Sequence, residues 1–155
     1  MNAVILLIDD DEDLPLLLPL LLKKANVEFS FRVADNGESA VEYLCGTGAY
    51  ADRAAYPLPQ ALLLDLRMPR MNGFQFLEWK RTRPEFASLP VVVWSSSVFV
   101  EDKQRALALG ANAYFDKSAD INQLAEVFQR LEPYCLGSLV AEKASVPATA
   151  RFLVS

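Results

Sequence analysis

The chain has no histidine. That absence removes Ser-His-Asp and Cys-His catalysis, histidine metal sites and any phosphohistidine carried by the chain itself. Cysteine is scarce: Cys45 and Cys135 are the two present, without CxxC spacing. A disulfide framework is therefore not expected, and a reduced, cytoplasmic setting is. Long apolar runs are also missing. The leucine-rich stretch at 14–22 is interrupted by Pro15 and Pro19 and flanked by charge, so it neither spans a bilayer nor forms a signal core. There is no Lys/Arg run, and the net charge of −5 disfavours nucleic acid or an anionic membrane as a partner. Carboxylates, hydroxyls, lysine and backbone groups are left to carry any chemistry.

The composition that remains is globular: 155 residues, 52% hydrophobic and 23% charged, enough for one domain with a proper core. Apolar runs at 4–8, 61–64, 91–94 and 113–115 lack alternation, the mark of strands buried on both faces. A further strand is predicted at 29–33. Helices are predicted from about 14 to 25 and at 38–44, 74–81, 101–109 and 121–131. Asp11, Glu12 and Asp13 supply helix-start chemistry, Pro15 suits a first turn, and Pro19 should kink the first helix. Gly110 suits a left-handed cap and Pro133 closes the last helix. Strands alternating with helices imply an α/β fold, a doubly wound parallel sheet of five strands and five helices with right-handed crossovers. The segment at 46–59, rich in Gly and Pro, is a long connection. The domain is assigned to 1–135 and a C-terminal tail to 136–155.

Four of these runs end in chemistry. Asp9 and Asp10 follow the first, Asp65 the third, Ser95 the fourth and Lys117 the fifth. In open α/β sheets ligands bind beyond the carboxyl ends of the strands. Helix capping accounts for Asp11 to Asp13, accounts less well for Asp9 and Asp10, and does not account for Asp65, which a proline-containing turn follows. Three carboxylates a few ångströms apart repel by roughly 4 kcal/mol per pair at an effective dielectric near 20. A hard divalent ion with oxygen ligands, such as Mg²⁺, would relieve them. An aspartate held beside such an ion suits phosphoryl transfer.

The residues that carry these features match a family. Ile8-Asp9-Asp10-Asp11, the segment Leu64-Asp65-Leu66-Arg67-Met68-Pro69-Arg70-Met71-Asn72-Gly73, Val93-Trp94-Ser95-Ser96 and Gly110-Ala111-Asn112-Ala113-Tyr114-Phe115-Asp116-Lys117 together resemble a response-regulator receiver domain over about 3–131. The resemblance implies a flavodoxin-like sheet of order 2-1-3-4-5. It implies that Asp65 accepts a phosphoryl group, and that Asp10, Asp65 and the Arg67 carbonyl hold Mg²⁺, with Asp9 acting through water. Lys117 would pair with the phosphoryl oxygens and Ser95 would donate its hydroxyl to them. Ser96 would be the small residue beside the phosphate, and Tyr114 the aromatic switch. Trp79, Trp94 and most of the 14–22 leucines read as core, with an outer leucine face left for a partner.

Three departures stand out. Ser118 follows Lys117 where the family usually has proline. Val98-Phe99-Val100 is apolar where the family is usually polar, which reads as a partner or homodimer surface. The long 46–59 connection resembles single-domain regulators paired with bacterial phytochrome-type kinases. With no effector domain following, the expected function is a stand-alone phosphoacceptor, not an enzyme with a free substrate. It would be served by a sensor histidine kinase or phosphotransfer protein and would signal to a downstream protein target. Two rivals stay open: an interaction module that is never phosphorylated, and a Mg²⁺-dependent aspartyl phosphatase of the haloacid-dehalogenase type. The latter usually has a second aspartate two residues after the nucleophile, where this chain has Arg67.

Overall fold

The computed structural model describes residues 3–24, 26, 29–97, 99–117, 125, 126, 128 and 129. Its elements run β1 (Ala3–Ile8), α1 (Leu14–Lys24), β2 (Phe29–Ala34), α2 (Gly37–Cys45), β3 (Ala61–Leu64), α3 (Gly73–Arg81), β4 (Val91–Ser95), α4 (Val100–Ala108) and β5 (Ala113–Asp116). All four strand pairings are parallel, in the order β2-β1-β3-β4-β5. The doubly wound α/β sheet expected from the apolar runs is the one observed. Four helices are described rather than the five expected. Of the fifth, predicted at 121–131, only residues 125, 126, 128 and 129 are described, and these are helical. The tail at 136–155 lies outside the described residues.

The strands lack alternation because both sheet faces are covered. Ile5, Leu7, Leu63, Val92 and Phe115 face a layer built from Leu14, Leu18 and Leu22 of α1 with Ala125 and Phe128. Leu6, Ile8, Leu62, Leu64, Val91 and Val93 face Tyr43, Leu44, Phe74, Phe76, Leu77 and Ala106 of α2 to α4. Each fully buried aliphatic side chain contributes about 1.5–3 kcal/mol, so the two layers hold the strand ends in fixed register.

Helix boundaries follow local chemistry. Asn36 caps α2 by accepting from the Ser39 amide. Asn72 opens α3 with a capping box: its side chain accepts from the Gln75 amide, and Gln75 accepts in return from the Asn72 amide. Pro15 lies in the first turn of α1, as expected, and Pro19 sits inside a helix that runs on to Lys24. Gly110 takes φ +107° after α4. In the long 46–60 connection, Arg53 donates to the carbonyls of Tyr43, Leu44 and Tyr56, closing the end of α2. No helix among the described residues is long and apolar enough to cross a membrane.

Candidate functional site

Register brings the acids together. Ile8 of β1 pairs with Leu64 of β3, so the next residues, Asp9 and Asp65, leave neighbouring strands side by side. Their amides continue the ladder, Asp65 N–H donating to the Ile8 carbonyl at 2.9 Å and Asp9 N–H to that of Ala34 at 3.0 Å. Carboxylate oxygens of Asp9, Asp10 and Asp65 lie within 4.8 Å of one another. Asp9 and Asp65 are buried, Asp10 is exposed. The cluster is thus open on one side and walled on the other.

Lys117 enters from β5, held by a bond from its amide to the Ser95 carbonyl at 2.9 Å. Its ammonium lies 2.9 Å from Asp9 Oδ2 and 3.5 Å from Asp65 Oδ2, and 5.9 Å from the centre of the Trp94 ring. The sequence reading brings Asp9, Asp10, Asp65 and Lys117 to one strand edge, and the structure places them there. Local turn chemistry takes part of the cluster as well. Asp9 Oδ1 accepts from the Asp11 amide at 2.9 Å, and Asp65 Oδ1 from the Arg67 amide at 3.3 Å.

The electrostatics follow from burial. Desolvation first, and then the neighbouring Asp9 carboxylate, push the Asp65 carboxyl up to about 6, with Lys117 and the Arg67 amide acting against them. Burial also works against the Lys117 ammonium. Its hydrogen bond to Asp9 and the charges of Asp65 and Asp9 outweigh that, and hold its pKa above the ordinary lysine value. An all-oxygen cluster of this span, with one carboxyl pushed up by burial and then by its neighbour, fits a hard divalent cation.

Ser95 and Tyr114 occupy different ground. Alternation along β4 and β5 sends them to the face covered by α2 to α4, while Trp94 faces the α1 side. Ser95 is fully buried, and its hydroxyl oxygen accepts from the Ser97 amide at 3.2 Å. The Tyr114 hydroxyl points inward, 3.5 Å from the Ser97 carbonyl. Burial pushes the Tyr114 phenol up, against its contacts with Ser95 and Ser97. Ser96 is exposed beside them. The four charged residues therefore meet directly, whereas Ser95 and Tyr114 stand behind them. Ser118, and with it the Lys117–Ser118 peptide, lies outside the described residues.

Two features escaped the sequence. Gly73 packs so closely that a Cβ there would lie 2.5 Å from the Asp65 carbonyl oxygen. In the sequence Gly73 was legible as the end of the motif segment that follows Asp65, not as a packing constraint. The Arg67 guanidinium reaches Asp102 in the first turn of α4, 2.5 Å away, and the Ser97 hydroxyl donates to the same Asp102 oxygen. Nothing in the local pattern links positions so far apart.

Comparison with known proteins shows the family. The family model for the response regulator receiver domain matches residues 5–129. Response regulator Rcp1 of Synechocystis sp. is 28% identical over 145 residues, 94% of this chain and 93% of that protein. The structure of its Mn²⁺-bound form superposes with a TM-score of 0.70 at 27% identity, covering 94% of this chain and 99% of that one. Response regulator RPA3017, from red light signalling in R. palustris, gives 0.73 at 28% identity over 94% and 98% of the two chains. The phosphorylated cyanobacterial phytochrome response regulator RcpA gives 0.68 at 27% over 89% and 96%. The chain belongs to the receiver-domain family of two-component response regulators, which are signalling proteins.

Proposed function

We propose that the chain is a stand-alone response regulator in which Asp65 accepts a phosphoryl group from a histidine kinase, with Mg²⁺ at the acidic cluster. The observation that carries this reading is the convergence of Asp9, Asp10, Asp65 and Lys117 at one sheet edge. The likeness to Rcp1, matched along 93% of that protein, supports a regulator of its type. The phosphorylated and Mn²⁺-bound states of RcpA and Rcp1 support the chemistry, and the phytochrome and red-light relatives support a phytochrome-type kinase as donor.

Each residue has a task in this reading. With its pKa near 6, roughly nine-tenths of Asp65 is ionised at pH 7 and able to attack phosphorus without giving up a proton. A new P–O bond forms to Asp65 as the P–N bond of the donor phosphohistidine breaks, its electron pair returning to the imidazole. Lys117, already aimed at Asp65, pairs with the incoming phosphoryl oxygens. Asp10, Asp65 and the Arg67 carbonyl would hold Mg²⁺, with Asp9 acting through water, and the ion would supply charge neutralisation on the transferring group.

The signal then passes to Ser95 and Tyr114. A charge-assisted hydrogen bond from Ser95 is worth about 1.5–3 kcal/mol. Moving a two-state loop from 1:99 to 99:1 takes about 5.5 kcal/mol. Ser95 alone is insufficient, and further contacts must change. Phe99 and Val100, both more than half exposed, lie on the surface this would remodel. The proposed partners are the kinase or a phosphotransfer protein, a downstream protein target and a second copy of the chain. Nucleic acid and membrane are not among them, and the setting is cytoplasmic.

The test combines Mg²⁺ and acetyl phosphate with Trp94 fluorescence and intact-mass measurement. Wild type is expected to gain one phosphoryl group with a change in emission, and Asp65→Asn to show neither. An unlabelled wild type, or equal changes in both proteins, overturns the proposal.

A further inference from the structure

The switch needs more than Ser95, and the structure holds an ionic connection between the loop after Asp65 and α4. Arg67 lies two residues past Asp65, and its amide donates to Asp65 Oδ1 at 3.3 Å. Its guanidinium extends across the surface to Asp102 Oδ2 at 2.5 Å. That same oxygen accepts from the Ser97 hydroxyl, two residues past Ser95. Ser97 in turn accepts from the Phe99 amide at 3.3 Å, and its carbonyl meets the Tyr114 hydroxyl at 3.5 Å. One carboxylate therefore ties together the segments that follow the acceptor and Ser95, with Tyr114 behind them.

The arrangement also sets the start of α4. Phe99, at the cap position, makes no capping hydrogen bond with its side chain. The Phe99 amide donates instead to Ser97 Oγ, which itself donates to Asp102. Arg67 is 55% exposed and Asp102 16%, so the arginine can leave while the carboxylate stays anchored.

Resting on the function proposed above, we propose that Arg67 is an exchangeable latch: it pairs with Asp102 in the unphosphorylated protein and trades that carboxylate for the phosphoryl group on Asp65. A phosphoryl group carries about −1.5 to −2 charge and three acceptor oxygens, and guanidinium pairs with it in a bidentate fork. It outcompetes one carboxylate for the same cation. On departure Arg67 leaves Asp102 with Ser97 alone, loosening the first turn of α4 and the exposed Phe99–Val100 pair. Asp102 is a positioning residue in this scheme, acting through Arg67 and Ser97, whereas the Arg67 guanidinium contacts the phosphoryl group itself.

The test uses the full chain with Mg²⁺ and beryllofluoride as the phosphoryl mimic. Apparent affinity is read from Trp94 fluorescence for wild type, Asp102→Asn, Arg67→Gln and the double variant. Asp102→Asn is expected to tighten the affinity about three- to fivefold, the scale of one partly exposed ion pair. Arg67→Gln is expected to weaken it. In the Arg67→Gln background Asp102→Asn should have no further effect, and Arg67→Lys should recover part of the wild-type affinity. Equal effects of Asp102→Asn in both backgrounds, or none in wild type, overturn the latch. If Asp102→Asn does not fold, the Arg67→Gln and Arg67→Lys pair decides, and equal affinity for both and wild type overturns it. Acetyl phosphate labelling of wild-type Asp65 separates the two proposals: labelling without the expected coupling removes the latch alone, whereas no labelling removes both.

Discussion

The ammonium of Lys117 stands closer to Asp9, at 2.9 Å, than to Asp65, at 3.5 Å. Under the proposed function, lysine and a divalent cation would therefore draw on the same acidic cluster. In the structure Lys117 is the cation that offsets the cluster. Replacing it with methionine leaves Asp9 and Asp65 without that partner. Breaking a fully buried pair costs about 3–5 kcal/mol, and the partial exposure of Lys117 reduces this to about 1–3 kcal/mol. Thermal melting should show Lys117→Met less stable than wild type in EDTA. Mg²⁺ should raise its melting temperature more than it raises that of wild type, because the cation then offsets repulsion that nothing else does. Labelling by acetyl phosphate should fall at least about tenfold, since the charge aimed at the acceptor is gone. An equal Mg²⁺ response in the two proteins would show that the lysine does not share the cluster.

The raised pKa of Asp65 has a definite sign for stability. Its folded value of about 6 lies above the ordinary 3.8. Below about pH 4 both folded and unfolded chains hold the proton, and the group contributes nothing. Between about pH 4 and 6 the unfolded chain ionises first, so stability falls as pH rises, and above 6 the penalty is complete. Two pKa units correspond to about 2–3 kcal/mol. Asp65→Asn should therefore match wild type near pH 4 and melt several degrees higher at pH 7, about 2–4 °C per kcal/mol for a chain of this size. Melting curves in EDTA across this range check it, and parallel profiles for the two proteins would contradict it.

How far the sequence could be read depended on whether an interaction was local. The continuous apolar runs identified β1, β3, β4 and β5 because both sheet faces are covered, and Asp9 and Asp65 were legible because each ends such a run. Side-chain parity was harder to use. Ser95 reads as part of the charged edge, yet it and Tyr114 alternate onto the opposite face from Trp94. Tyr43 was not read as core, because its burial depends on the Pro57 carbonyl accepting its hydroxyl at 2.8 Å, from a connection that shows no periodicity. Arg53 organises that connection through three backbone carbonyls, which no side-chain pattern encodes. The Arg67–Asp102 pair joins a loop to a helix start 35 positions away. The helix that carries Asp102 was legible, but neither the role of that carboxylate nor its partner was.

Gly73 and Gly110 separate two reasons for glycine, and they predict different outcomes. A Cβ on Gly73 would sit 2.5 Å from the Asp65 carbonyl oxygen and 2.8 Å from the Leu66 Cα, both backbone atoms that cannot rotate away. Gly110 has open space around it, but its φ of +107° is one that side-chain-bearing residues rarely adopt. Gly73→Ala should destabilise through overpacking by about 1–3 kcal/mol and should also displace the acceptor, lowering acetyl phosphate labelling of the fraction that remains folded. Gly110→Ala should cost about 1–3 kcal/mol through backbone strain alone and leave labelling at the wild-type rate. Urea denaturation measures the first quantity and intact-mass labelling the second. If Gly73→Ala were destabilised yet labelled normally, the close approach of α3 to β3 would serve packing without positioning Asp65.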